Sequence, residues 1–193
     1  MAGLVLGVMP AGAADGEGDY AVRGAGSVSC ERYAESIDEG RSDEVRQFLG
    51  WIQGYISATN RIREDTYDVV PILRPARVGA MVHNVCRNHP DSRLEEAVVA
   101  LIEYLASGRE RERTEIVRVS NGGGTTAIRV ATLDRLKRVL VDEGHLESAE
   151  GRYTEKTQEA LRRYQAEHGL EETGLPDADT IFAALYGAFS PEQ

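Results

Sequence analysis

Residues 153–170 read YTEKTQEALRRYQAEHGL. Ala160, Leu161 and Tyr164 recur at helical spacing, so they lie on one face of a helix. Thr154 stands just before that run, where a side-chain oxygen can accept an orphan N–H of the first turn. His168-Gly169-Leu170 ends it: the glycine takes the left-handed turn and the leucine folds back over the core. Gln165 follows the inward-facing tyrosine, and a primary amide there can both donate to and accept from the backbone of neighbouring loops.

Similar patterns lie on either side. Leu133, Leu136, Val139 and Leu140 define an inward face before it. After it, Asp177 caps a further helix whose inward residues are Ile181, Ala184 and Leu185. Gly144, Gly151, Gly169 and Gly174 mark tight turns between these runs. Residues 128–193 therefore read as three short helices around a small, economically packed core.

Residues 15–107 read as a second helical domain. Val45, Phe48, Leu49, Ile52, Tyr55 and Ile56 share one helical face, with Ser42 as its cap. Gly50 and Gly54 on that helix suggest close packing against a neighbour. A further helix is expected over 76–85, after Pro71 and Pro75 break the chain. The next starts at Ser92, which forms an S-x-x-E capping box with Glu95, and ends at Gly108. Residues 108–127, with alternating Arg and Glu, a β-prone piece at 116–119 and the glycines 122–124, read as a linker. The expected fold class is all-α.

The chain has 193 residues, is 41% hydrophobic and 28% charged, and carries a formal net charge of −10. Such a surface repels phosphate backbones and anionic lipid, so neither nucleic acid nor a membrane surface is an expected partner. Residues 1–14 resemble part of a secretory signal: an apolar piece at 2–9, then small residues at 11–14. The apolar piece is shorter than the roughly 20 residues a spanning helix needs. The expected location is periplasmic or secreted. Cys30 and Cys86, 56 residues apart, then pair as a disulfide, closing a loop worth roughly 3–4 kcal/mol in the chain-entropy model.

No catalytic or metal site stands out among the polar residues. His83, Cys86 and His89 form H-x-x-C-x-x-H, which could hold a metal or a thiol–imidazole pair. Pairing of Cys86 with Cys30 leaves both histidines as ordinary surface residues. His145 and His168 are expected to face solvent. The acidic residues are scattered as on a solvated surface, and no glycosidase pair can be singled out. No cofactor is expected.

Residues 133–185 resemble the small three-helix peptidoglycan-binding domain found at the ends of many wall enzymes. Gly144, Gly151, Tyr153, Thr157, Ala160, Leu161, Tyr164, Gln165, Gly169, Leu170, Thr173, Gly174, Asp177, Thr180 and Leu185 carry the likeness. The interval from Thr180 to Leu185 is one residue longer than in that pattern. Glu150 and Thr154 also depart from it, where the family favours Asp and Gly. The resemblance implies a wall-anchoring module without catalysis. Tyr153, at a loop-to-helix junction, is the leading candidate for touching a sugar or peptide. Thr154, Thr157 and Gln165 complete the candidate ligand-binding set, with a purely structural role as the alternative for Gln165 and Tyr164.

Residues 30–105 also resemble small exported helical proteins of the HdeA-like and Tai-immunity-like group, through Trp51, Gly54, Tyr55, Cys86 and Pro90. That likeness implies a disulfide-linked helical domain with a protein partner or client. The expected function is thus a non-catalytic, wall-associated binding protein with two partners, peptidoglycan and a protein. The alternatives are a wall hydrolase or transpeptidase whose active site is unrecognised, an acid-responsive chaperone, and a C-terminal domain that binds protein instead of wall.

Overall fold

The structure is a computed structural model and describes residue 15 and residues 19–187. The signal-like segment at 1–14 lies outside the described residues. Seven α-helices and one two-stranded sheet are seen among those described: α1 (Cys30–Asp38), α2 (Ser42–Ile62), α3 (Pro75–Asn88), α4 (Leu94–Leu105), β1 (Ile116–Ser120), β2 (Thr125–Arg129), α5 (Val130–Asp142), α6 (Glu155–Glu167) and α7 (Ala178–Tyr186). The fold is mostly helical rather than all-α.

Helices α1 to α4 enclose the larger core. Phe48, Ile52 and Ile56 point inward from α2 at four-residue steps, and Val78, Val82 and Cys86 do so from α3. Pro75 sits in the first turn of α3, where its missing N–H costs nothing. The expected disulfide is present: Cys30 at the start of α1 joins Cys86 in α3, with Cα atoms 4.7 Å apart. Tyr33 stands edge-on to Phe48 and donates its hydroxyl proton to the Gly79 carbonyl at 2.9 Å. A side chain at Gly79 would meet Leu49 at 2.5 Å, so the glycine lets α3 approach.

Several local expectations change. The capping box of α4 forms one residue later than expected: Glu96 accepts the backbone N–H of Arg93 at 3.0 Å. Glu95 is freed to turn inward, where it is fully buried and accepts the Tyr55 hydroxyl at 2.8 Å. Gly50 and Gly54 face solvent opposite the buried stripe of α2. A side-chain carbon at either would meet nothing within 4 Å, so they mediate no packing within the described chain. His83 is not a free surface group, because its Nε2 lies 3.0 Å from Asp38 Oδ1.

The segment expected to be a linker holds the sheet. β1 and β2 pair antiparallel, from Ile116 opposite Arg129 to Ser120 opposite Thr125. Asn121 Oδ1 accepts the N–H groups of Gly123 and Gly124, both at 3.1 Å, and so closes the turn. Ile128 is buried against Leu133 and Ile181, which ties the hairpin to α5 and α7. Upstream, Glu110 is buried and bridges the backbone of Asp68. Its carboxylate accepts the Thr132 hydroxyl and lies 3.3 Å from Arg129 Nε. Burial raises the Glu110 pKa, while Thr132 and Arg129 oppose that shift.

Helices α5, α6 and α7 surround a smaller core of Leu136, Leu140, Ala160, Leu161 and Tyr164. Helix α7 has a second apolar face that packs against the larger core. Phe182 stacks on Tyr104 with ring centres 5.7 Å apart, and Tyr186 donates to the Leu105 carbonyl at 3.2 Å. Gly108 is required at that seam, since a side-chain carbon there would fall 2.0 Å from the Tyr186 oxygen.

Candidate functional site

Helices α5 to α7 carry the residues singled out in the sequence. Thr154 is the N-cap of α6, and its backbone N–H donates to Thr157 Oγ1 at 3.3 Å. Thr154 is exposed, whereas Thr157 is buried beneath it. Both border a groove of about 480 Å³ formed by the α5–α6 loop and the first turns of α6. Arg152, Lys156 and Arg163 supply donors along it, and Glu147, Glu150 and Glu159 supply acceptors. This array matches the needs of a hydroxyl- and amide-rich ligand better than those of an apolar one.

The loop that walls the groove is fixed from behind. Lys137 is buried on α5, donates to the Gly151 carbonyl at 2.7 Å and pairs with Asp134 at 2.8 Å. Arg163 holds the same loop through the His145 carbonyl at 2.6 Å. Gly151 itself has φ of +84°, a conformation that glycine adopts at little cost.

Two candidate ligand residues lie elsewhere. Tyr153 is half-buried between the two small apolar clusters, and its hydroxyl donates to the Gly174 carbonyl. Burial pushes its pKa up to about 12. Gln165 is fully buried. Its Nε2 lies 2.7 Å from Thr180 Oγ1 and 3.1 Å from the Leu175 carbonyl, and its Oε1 accepts the Gly174 N–H at 2.7 Å. A ligand at the groove therefore reaches neither side chain directly. Their polar atoms are committed to the turn before α7.

Both histidines flank Tyr164: His168 is exposed, as expected, whereas His145 is not in solvent. His168 stacks on its ring at 4.0 Å, and His145, itself buried, meets it edge-on at 5.8 Å. His145 Nε2 lies 3.7 Å from Glu143 Oε2 and 3.7 Å from Glu167 Oε2. His168 Nε2 lies 3.8 Å from the same Glu143 oxygen. Glu143 and His168 line a second depression, a cleft of about 620 Å³ between α3 and the α6–α7 pair. The groove and the cleft thus adjoin through His145 and Glu143.

Sequence reasoning missed Lys137, although it falls between Leu136 and Leu140 on the inward stripe of α5. It missed the Tyr164 stack because the partners come from two helix ends. Among the described residues, no group of three or more His, Cys, Asp or Glu side chains is placed to hold a metal ion. No described helix is long and apolar enough to cross a membrane.

Residues 131–183, from the first turn of α5 into α7, match the family model described as "Putative peptidoglycan binding domain". This supports the family resemblance read from residues 133–185. No curated protein and no solved structure matches the chain.

Proposed function

We propose that the chain is an exported, wall-associated binding protein whose C-terminal unit, residues 128–193, binds peptidoglycan. The match over residues 131–183 carries the reading. The polar groove at the start of α6 supports it, because glycan hydroxyls and acetamido groups need such a mixture of donors and acceptors. Thr154, Arg152 and Lys156 bear on the ligand there. Thr157, Tyr153 and Gln165 act by holding the walls and the turn behind them.

The N-terminal unit, residues 15–107, binds a protein partner in this reading. Its support is the resemblance carried by Trp51, Gly54, Tyr55, Cys86 and Pro90 to small exported helical binding proteins. The disulfide favours an oxidising compartment, periplasmic or extracellular. The proposed role is retention at the wall, not turnover. The thiol that a cysteine transpeptidase chemistry would use, Cys86, is tied up in that bond. Co-sedimentation with isolated sacculi tests the reading: protein found in the pellet supports it, and protein left in the supernatant removes it.

A further inference from the structure

The cleft beside the Tyr164 stack has walls of unlike character. Met81 on α3, Phe182 on α7 and Leu170 supply its apolar lining. Its volume of about 620 Å³ falls within the range of small-ligand sites. Two carboxylates and one guanidinium also line it. Arg77 and Asp179 pair with each other across the mouth, which cancels their charges. Glu143 is left without a Lys or Arg partner.

Three observations make the Glu143 corner attractive to a cation. Among the described residues, its ion-pair neighbours are His145 and His168, and no Lys or Arg side chain pairs with it. Glu143 is the C-cap of α5, and His168 is the C-cap of α6. Gly187, the C-cap of α7, lines the same cleft. The carbonyl ends of three helices therefore add partial negative charge where a carboxylate already stands. Behind it, His145 Nε2 is buried without a hydrogen bond, 3.7 Å from the same Glu143 oxygen.

From this we infer that the cleft takes a primary aliphatic ammonium: the charge sits at Glu143 and the alkyl chain lies against Met81 and Phe182. The inference rests on the wall-binding reading and deepens it, because peptidoglycan stem peptides carry a diamino acid whose side chain ends in such an amine. The adjoining groove would then hold glycan while the cleft holds the stem peptide.

Calorimetric titration of the full chain tests this with two probes. One is a soluble disaccharide–tripeptide with a free diamino acid amine; the other is the same muropeptide acetylated at that nitrogen. Acetylation is expected to weaken binding by about tenfold or more, the scale of a lost hydrogen bond to a charged group. Glu143→Gln is expected to weaken the free-amine probe as much and to leave the acetylated one unchanged. Both Glu143 and Asn84 are exposed, so neither variant threatens the fold. Asn84→Trp, which fills the cleft from α3, is expected to abolish the difference between the probes. Equal affinity of the wild type for the two probes overturns the inference and leaves wall binding standing. Retention on neither the probes nor sacculi overturns both.

Discussion

The side-chain carbonyl of Gln165 accepts the backbone N–H of Gly174 at 2.7 Å. One amide near the end of α6 thereby holds the turn that leads into α7. The same side chain meets Thr180 and Leu175, so a single residue satisfies groups from the turn and from the helix that follows it. Gly174 has φ of +63°, and the side chains of Gln158 and Arg162 crowd its open side.

Replacing Gln165 with Leu keeps the volume and removes the polar atoms. The Gly174 N–H and the Leu175 carbonyl would then lose the amide that pairs with them. The expected cost is about 2–4 kcal/mol, read as a lower urea midpoint at unchanged slope. A change within a few tenths of a kcal/mol would show that the turn is held by other contacts.

The Cys30–Cys86 bond closes 56 residues of chain around the larger core. Cys86→Ser should lower stability by about 2–5 kcal/mol. A Cys30→Ser/Cys86→Ser double variant should match the single one, because both lack the same bond. Thermal unfolding with and without reductant checks this: the wild type should fall toward the variants when reduced, and the variants should not respond.

Gly26 lies under the ring of Trp51, where a side-chain carbon would come within 2.1 Å of the indole. The indole N–H donates to the Arg23 carbonyl at 2.9 Å, so the ring clamps the segment before α1. Gly26→Ala is expected to displace the ring, at a cost of about 1–3 kcal/mol. Trp51 is the chain's one tryptophan, so its emission should shift to longer wavelength as the ring moves into water. Unchanged emission would mean that the segment moves instead.

The helices are legible in the sequence because their apolar residues recur at 3.6-residue spacing and their ends carry recognisable stops. Phe48, Ile52 and Ile56 are buried as that spacing requires, and Thr154 and Asp177 cap their helices. The disulfide is legible from two cysteines in a chain with an export-like start. The hairpin is harder to see, because β1 and β2 have five residues each and sit among charges. Its stability comes from Ile128 burying against Leu133 and Ile181, a contact that periodicity does not report.

The site is less legible for a similar reason. Tyr104 and Tyr186 meet across 82 residues, and the histidines reach Tyr164 from the ends of separate helices. Local pattern says nothing about such pairings. It anticipates that the Gln165 amide can bond the backbone of a neighbouring loop, but it does not say which loop that is. Only the three-dimensional turn around Gly174 accounts for its burial. The S-x-x-E pattern puts Glu95 in a cap one residue early, and that shift conceals its bond to Tyr55.

The most direct measurement of the central claim is a binding isotherm of purified protein on a fixed mass of sacculi. Saturable retention, reversed by excess soluble muropeptide and weakened several-fold by Arg152→Ala with Lys156→Ala, is the predicted result. These residues are exposed on the groove, so the variant should stay folded. Protein that stays in solution at every concentration, or is retained without saturation or competition, would contradict the account.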